Sequence, residues 1–129
     1  MAQSGTSQAF REAVERGDHA AWMQTMAPDV VFHSPIVHQP YVGQAALAPL
    51  LAAILQTFTD FRYTNEYAAP DGNVFVFQAR VGERDIEGVD ILTFDANGLV
   101  REFTVMVRPY SAATALREIM AAKLAAHGA

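Results

Sequence analysis

One strand-like stretch decides the fold of this chain: IEGVDILTF, residues 86–94, within a predicted strand over 85–94. It has the β-branched and aromatic composition of a buried strand, yet it places the carboxylate of Asp90 among apolar neighbours. Side chains along a strand alternate between its two faces, so the pairing with neighbouring segments determines which face holds Asp90. The chemistry open to this carboxylate depends on that face.

Three further segments have the same strand-like character, and glycine-containing turns separate them. The segments are residues 61–67, 74–81 and 99–108, and the breaks are PDGN (70–73), GER (82–84) and DANG (95–98). The Asn-Gly pair in the last break is a strong hairpin signal. Consecutive strands joined by such short turns predict an antiparallel meander.

Helical patterns lie on both sides of this meander. They cover residues 7–16, 19–26 and 44–58 before it, and a last helix begins near Ser111. Asp18 is a good N-cap for the second helix. A short strand over residues 30–34 and a loop over 36–43 precede the third helix. Helices segregated from an antiparallel sheet define the α+β class.

Length and composition are those of one compact domain. The chain has 129 residues, 51% hydrophobic and 18% charged, and residues 1–6 are predicted to form a flexible tail. The net charge of −5 argues against a nucleic-acid partner. No segment approaches the ~20 apolar residues of a membrane span. Cysteine is absent, so we expect a cytoplasmic protein without disulfides or thiol chemistry.

Tight turns at residues 82–83 and 97–98 fix the expected register of the meander. They place Asp90 opposite Phe75 on one side and opposite Val105 on the other. The face that includes Asp90, here called the inner face, is predicted to carry Phe75, Phe77, Ile86, Gly88, Asp90, Leu92, Phe103, Val105 and Val107. The opposite, outer face is predicted to carry Val76, Gln78, Glu87, Val89, Ile91, Thr93, Glu102, Thr104, Met106 and Arg108.

The two faces lead to two expectations. A carboxylate beneath the helices either finds hydrogen-bond donors or keeps its proton, because an apolar site disfavours charge. Asp90 is therefore a neutral acid that can donate a hydrogen bond, or it accepts a structural hydrogen bond from a tyrosine such as Tyr63. The outer face is apolar in its middle and charged at one end, which predicts a homodimer through that face.

Several short motifs resemble the SnoaL-like branch of the nuclear transport factor 2-like superfamily. They are Gly17-Asp18, DVVFHSP (29–35), YVG (41–43), GVDILTFDANG (88–98) and VRP (107–109). The resemblance covers nearly the whole chain. It implies a cone-shaped, cystatin-like α+β fold in which a curved antiparallel sheet wraps around helices. The same fold hosts isomerases, cyclases, dehydratases, hydrolases and proteins without activity, so it does not by itself assign a function.

Ketosteroid isomerase is the relative that bears most directly on Asp90. Its oxyanion-hole acid matches Asp90, its aspartate base matches Ser34, and its tyrosine donor on the first helix matches Phe10. One of three catalytic groups is thus retained, and Ser34 cannot by itself remove a carbon-bound proton. Epoxide hydrolases of this fold use an Asp–Arg–Asp set, and here the last-strand acid position holds Val105.

These observations predict a protein with an apolar pocket for a small molecule. As an enzyme it would be a cofactor-free isomerase, dehydratase or cyclase that transfers a proton on a mostly apolar carbonyl or hydroxyl compound. Asp90 would be the acid and His33 the base. The alternative is a non-catalytic ligand-binding or dimerisation module. The residues expected to contact the ligand are Ser34, Phe10, Trp22, Phe32, Tyr63, Phe75, Phe77, Phe103 and Val105.

No metal site is predicted. His33 and His38 lie in a proline-rich segment without the helical spacing of a metal motif, and no third ligand is evident.

Overall fold

A computed structural model describes the backbone of residues 2–128 and the side chains of residues 5–125. Its elements are α1 (Ala2–Arg16), α2 (His19–Gln24), β1 (Met26–His33), β2 (Tyr41–Val42), α3 (Gln44–Thr57), β3 (Phe58–Ala69), β4 (Gly72–Val81), β5 (Arg84–Phe94), β6 (Val100–Arg108) and α4 (Tyr110–Gly128). The predicted order of helices and long strands is confirmed, and so is the α+β class.

The six strands form one sheet in the order β2-β1-β6-β5-β4-β3. Strands β3 to β6 form the predicted antiparallel meander. Strand β1, however, pairs with β6 in parallel, so the sheet as a whole is mixed and the predicted meander is its antiparallel part. Short turns reveal only pairs of consecutive strands, whereas β1 and β6 are far apart in the sequence and meet through tertiary packing.

The register predicted for the central strands is confirmed. Asp90 pairs with Phe75 of β4 and with Val105 of β6. Val81 pairs with Arg84, so residues 82–83 form a two-residue turn, and Gly82 has the positive φ of 60° that such a turn favours. Asp90 therefore belongs to the inner face, as the alternation of the strand requires.

Several element boundaries differ from the prediction. Helix α1 begins at Ala2, so most of the segment expected to be a flexible tail is helical, while Met1 lies outside the described residues. Helix α2 ends at Gln24, and β1 begins at Met26 and includes Pro28. Proline is tolerated there because the described part of β1 pairs only at Met26 and again from Val31 onward.

The inner face of the sheet and the four helices enclose the hydrophobic core. Its largest fully buried side chains include Phe10, Phe75, Phe77 and Phe103. The Phe77 ring lies directly over Gly88, where a Cβ atom would come within 2.4 Å of the ring. Glycine at position 88 thus leaves the space in which the Phe77 ring packs. The same ring forms part of the wall of a cavity.

Candidate functional site

A cavity of about 290 Å³ lies between the inner face of the sheet and the helices. This volume is near the lower end of the roughly 300–1,000 Å³ typical of small-molecule pockets. The cavity is lined by Val14, Glu15, Arg16, Gly17, Trp22, Phe32, Pro35, Leu51, Ile54, Leu55, Phe58, Phe61, Tyr63, Phe77, Asp90, Phe103, Val105 and Leu116. Most of these side chains are apolar, so the few polar groups determine how a ligand is oriented.

Asp90 and Tyr63 form a buried hydrogen-bonded pair in this lining. The Tyr63 hydroxyl donates to Oδ2 of Asp90 at 2.7 Å, and the two residues are 7% and 5% exposed. The pair links two strands of the meander that are not neighbours, since Tyr63 lies on β3 and Asp90 on β5. The other carboxyl oxygen, Oδ1, makes no side-chain hydrogen bond within the described part of the chain. It is the oxygen left for a proton or a ligand.

The surroundings shift the pKa of both members of the pair. Burial raises the pKa of Asp90 from 3.8 to about 7, and the hydrogen bond from Tyr63 opposes part of that rise. Burial, and then the neighbouring Asp90, raise the pKa of Tyr63 well above its ordinary value of 10.0. Tyr63 therefore keeps its proton at neutral pH, whereas Asp90 is present in both the protonated and ionised forms.

The expected apolar ligand contacts divide into two groups. Trp22, Phe32, Tyr63, Phe77, Phe103 and Val105 all line the cavity. Phe10 and Phe75 do not, because both are completely buried in the layer behind the wall. The Phe10 ring stacks on Phe75 at 6.0 Å and meets Phe103 edge-on at 5.3 Å. These two side chains support the wall instead of forming it.

His33 is not in the cavity lining. Its Nε2 lies 2.8 Å from a carboxylate oxygen of Glu102, a residue predicted for the outer face. In the parallel β1–β6 pair, His33 lies beside Thr104, another residue predicted for that face. The expectation that His33 is the base of the cavity is therefore wrong as to position, since strand alternation turns it away from Phe32, which lines the cavity.

Ser34 is likewise absent from the lining. Its Oγ accepts hydrogen bonds from the backbone N–H groups of Ile36, at 2.9 Å, and Val37, at 3.2 Å. Serine often closes a turn in this way. The next residue, Pro35, lines the cavity instead.

Two charged residues of the cavity lining lie on the solvent-exposed side of α1. Glu15 and Arg16 lie at the end of α1, both are exposed, and both line the cavity, so they mark its opening. Glu15 forms an ion pair with Arg11 at 3.5 Å, and Arg16 forms one with Asp18 at 3.2 Å. Helical periodicity alone gives no sign of their position, because a cavity opening looks like any other solvated helix end.

Two further properties concern only the described part of the chain. It contains no group of three or more His, Cys, Asp or Glu side chains placed to hold a metal ion. None of its helices is both long enough and apolar enough to cross a membrane.

Comparisons with known proteins give a consistent family. The model of the SnoaL-like domain matches residues 7–103. Epoxide hydrolase LasB of Streptomyces lasalocidi is 32% identical over 105 residues, which are 72% of this chain and 36% of that protein. The chain thus spans about a third of the length of this curated relative.

Solved structures agree with this assignment. A steroid delta-isomerase from Pseudomonas aeruginosa is 36% identical with a TM-score of 0.94, over 98% of this chain and 94% of that one. A bacterial protein with a cystatin-like fold from Silicibacter pomeroyi is 34% identical with a TM-score of 0.88, over 92% and 84% of the two chains. Because the domain model covers most of the chain, the protein belongs to the SnoaL-like domain family.

Proposed function

We propose that this protein binds a small, mostly apolar compound with a carbonyl or hydroxyl group and catalyses a cofactor-free proton transfer on it. Isomerisation, dehydration and aldol-type cyclisation are the reactions of this class. The observation that supports the proposal is the Asp90–Tyr63 pair in an apolar cavity, with the pKa of Asp90 near 7. A carboxylic acid that keeps its proton near neutral pH is a good donor to a developing oxyanion, as ketosteroid isomerase illustrates.

The two oxygens of Asp90 would have separate tasks. Tyr63 holds Oδ2, so the acid proton is expected on Oδ1, directed to the carbonyl oxygen of the ligand. As negative charge grows on that oxygen, the hydrogen bond strengthens in an environment with little water. Tyr63 would be a positioning residue, because its hydroxyl fixes the carboxyl of Asp90 and opposes the rise in the pKa of Asp90.

A base must also be present, and His33 is on the wrong face for that task. Glu15 and Asp90 are the two acidic residues of the cavity lining. Glu15 is exposed at the opening and forms an ion pair with Arg11. Two carboxyls in contrasting surroundings, one buried and one solvated, suit an acid and a base respectively. We therefore assign the base to Glu15.

A turnover assay with the Asp90→Asn variant tests the proposal. The named isomerase relative suggests a steroid with a ketone group as the first compound. Asp90→Asn should reduce turnover by at least about 100-fold, the effect of losing a general acid. Glu15→Gln should also reduce it. Asp85→Asn is the matched control, since Asp85 is 86% exposed and remote from the cavity lining, and it should match the wild type.

Wild-type turnover in Asp90→Asn would remove Asp90 from the mechanism. A second function, ligand binding without catalysis, is favoured by one observation: the position of the isomerase base holds Ser34, whose hydroxyl is used in a turn. In that case no compound is turned over, but the affinity for an apolar ketone still falls in Asp90→Asn because the hydrogen bond to the ligand is lost.

We also propose that the protein forms a homodimer through its outer face. Val76, Val89 and Met106 line a shallow groove on that face, and Met106 is 57% exposed. Arg108 and Glu87 form an ion pair at the edge of the same groove, at 3.0 Å. Exposed apolar surface bordered by charge is typical of an interface.

Light scattering tests the dimer at micromolar concentration. The wild type should have twice the mass of one chain, and Met106→Glu should be monomeric, because it places like charges against each other near the centre of the interface. The variant should keep the circular dichroism of the wild type, since Met106 lies outside the core. A monomeric wild type would contradict the proposal.

A further inference from the structure

A second cleft lies between α1 and the turn that joins β3 to β4. Its volume is about 890 Å³, within the range of roughly 300–1,000 Å³ typical of small-molecule sites. In contrast to the apolar cavity, its lining is mostly polar and consists of Ser7, Gln8, Arg11, Glu12, Glu15, Glu66, Ala68, Ala69, Pro70 and Asn73. Glu15 lines both spaces, so the cleft begins beside the opening of the cavity.

Asn73 contributes an unpartnered acceptor to this cleft. The residue is 4% exposed, and its Nδ2 donates to Oε2 of Glu66 at 3.0 Å. Because Glu66 also lines the cleft, this hydrogen bond directs the amide group of Asn73 toward it. The amide oxygen, Oδ1, makes no hydrogen bond with any described residue. Buried polar groups in folded proteins almost always have a partner, so this oxygen is a position for a ligand.

Ser7 adds a second oxygen, on the side of the cleft formed by α1. The residue is 5% exposed, and its Oγ makes no hydrogen bond with any described residue. Within the described part of the chain, the indole nitrogen of Trp22 is the only buried polar side-chain atom with neither a partner nor accessible surface. The free oxygens of Ser7 and Asn73 are therefore accessible, and a molecule in the cleft reaches them without moving a side chain.

The charged residues of the cleft favour a cation. Three carboxylates, those of Glu12, Glu15 and Glu66, accompany one guanidinium, that of Arg11. Arg11 lies 3.5 Å from a carboxylate oxygen of Glu15 and 3.6 Å from one of Glu66, which is longer than a charge-assisted hydrogen bond. One guanidinium does not balance three carboxylates, so the cleft attracts cations and repels anions.

We propose that this cleft binds the ammonium group of a small primary amine, with Oδ1 of Asn73 as an acceptor of its hydrogen bonds and Glu66 beside it as a counter-charge. An ammonium group has three donors and no acceptor, which suits a site whose unpartnered side-chain atoms are oxygens. A hydroxyl group in the same place lacks the charge. The inference does not depend on the proposed function, because it involves neither a ketone nor a proton transfer.

Two matched linear probes test the proposal on the whole wild-type protein. The compound 1,4-diaminobutane carries two ammonium groups, and 1,4-butanediol has neutral hydroxyls on the same carbon chain. At constant ionic strength, diaminobutane should move the side-chain amide signals of Asn73 in a nitrogen–proton correlation spectrum, and butanediol should not. Diaminobutane should also bind at least about 10-fold more tightly, which corresponds to about 1.5 kcal/mol, the lower value for a hydrogen bond to a charged group.

Two charge-matched variants separate a defined site from general attraction by a negative protein. Glu66→Gln and Glu83→Gln each remove one carboxylate, but Glu83 is exposed in the turn between β4 and β5 and does not line the cleft. Glu83→Gln should keep the affinity for diaminobutane within about 2-fold, because salt screens a distant charge. Glu66→Gln should weaken binding by more than that. Asn73→Leu removes the acceptor and should weaken binding by about 10-fold or more.

The proposal is overturned if the Asn73 amide signals stay in place at a high excess of diaminobutane, a measurement that does not depend on the folding of any variant. Equal binding of the two probes would overturn it as well. Equal losses in Glu66→Gln and Glu83→Gln would show attraction by net charge alone, and thus no site. Turnover in the Asp90→Asn assay has no bearing on these results, so the two proposals fail separately.

Discussion

Acidic side chains on the two faces of the central strands differ in their exposure and in their hydrogen-bond partners. On the inner face, Asp90 is 5% exposed and its partner is the neutral hydroxyl of Tyr63. On the outer face, the side chain of Glu102 is 44% exposed and its partner is the imidazole of His33. Both carboxyls lie on adjacent strands of one sheet. The alternation of a strand, and not the residue type, separates a buried carboxyl suited to chemistry from a carboxyl in an exposed hydrogen-bonded pair on the surface.

This comparison shows why a neutral partner matters. A cation beside Asp90 would stabilise the ionised form and counteract burial, whereas a tyrosine hydroxyl does so only in part. The inner carboxyl therefore holds its proton to about pH 7. The surface pair with His33 is accessible to solvent, where ion pairs contribute little to stability.

The largest expected difference between the faces is the pH dependence that Asp90 gives to the free energy of unfolding. The folded protein holds the Asp90 proton to about pH 7, whereas an unfolded chain loses it near 3.8. Between these values the unfolded state binds fewer protons, so the free energy of unfolding falls as the pH rises. Asp90→Asn removes this dependence. From pH 5 to pH 8, the wild type should lose about 2–3 kcal/mol relative to the variant, since one pKa unit corresponds to about 1.4 kcal/mol.

Urea unfolding of both proteins at pH 5 and pH 8 measures that difference, because other titrating groups are common to the two. Glu102→Gln provides the matched comparison on the outer face. Parallel pH profiles for the wild type and Asp90→Asn would show that the inner carboxyl is not held in its neutral form.

The next effect concerns the space above Gly88. Gly88→Ala would place a Cβ atom 2.4 Å from the Phe77 ring and 2.7 Å from the backbone oxygen of Met106. The ring must then move toward the cavity, at an expected cost of about 1–3 kcal/mol in the free energy of unfolding. Gly5→Ala is the control, because its added Cβ meets no described atom within 4 Å apart from its chain neighbours and its own helix backbone, and alanine favours the helix.

Thermal and urea unfolding of the two alanine variants give the sign as well as the size of each effect. Gly88→Ala should lower stability and reduce the affinity for an apolar ketone, whereas Gly5→Ala should leave both unchanged or raise stability slightly. Equal stability of the two variants would mean that Phe77 does not need the space over Gly88.

A smaller effect is expected from Tyr63→Phe. Loss of the hydroxyl removes one buried hydrogen bond, worth about 0.5–1.5 kcal/mol, and removes the interaction that opposes the rise in the pKa of Asp90. The pKa of Asp90 should therefore rise further. Carbon NMR titration of the Asp90 carboxyl measures it directly, and a lower pKa in the variant would show that Tyr63 does not stabilise the ionised form.

The smallest effect is expected on the outer face. Glu102→Gln breaks the pair with His33, but both side chains are more than a third exposed, 44% and 34%. Pairs of this kind contribute at most about 0.5–1 kcal/mol, and salt screens them. Urea unfolding at low and high salt should show a difference that shrinks as salt is added. An effect as large as that of Asp90→Asn would erase the contrast between the faces.

Most of the sheet could be predicted because its information is local. The turn at residues 82–83 and the alternation of the strands place Asp90 opposite Phe75 and Val105 as predicted. The tight turn predicted at 97–98 is instead a connection over residues 95–99, and a register shift between Thr93 and Phe94 accommodates it.

The same rule of alternation correctly places most aromatic residues of the strands in the cavity wall. It fails for Phe75, which lies on the inner face but outside the cavity lining, because alternation gives the face of a residue and not the extent of the cavity along that face. Phe10 lies on helix α1, where strand alternation does not apply.

The remaining errors concern residues at the ends of elements. His33 lies where β1 ends, and the parallel pairing with β6, which no turn predicts, sets it beside Glu102. Glu15 lies at the end of α1, and only the packing of that helix over the sheet brings it to the cavity opening. Strand alternation already turns His33 away from Phe32, whereas the position of Glu15 has no signal in the chain itself.

The sequence by itself determined the α+β class, the meander and the inner position of Asp90, because turns and alternation act over a few residues. Only the tertiary structure decided that Tyr63 is the partner of Asp90, that the indole N–H of Trp22 has no partner among the described residues and that His33 pairs with Glu102. Those three facts depend on distances between elements far apart along the chain, and packing alone sets such distances.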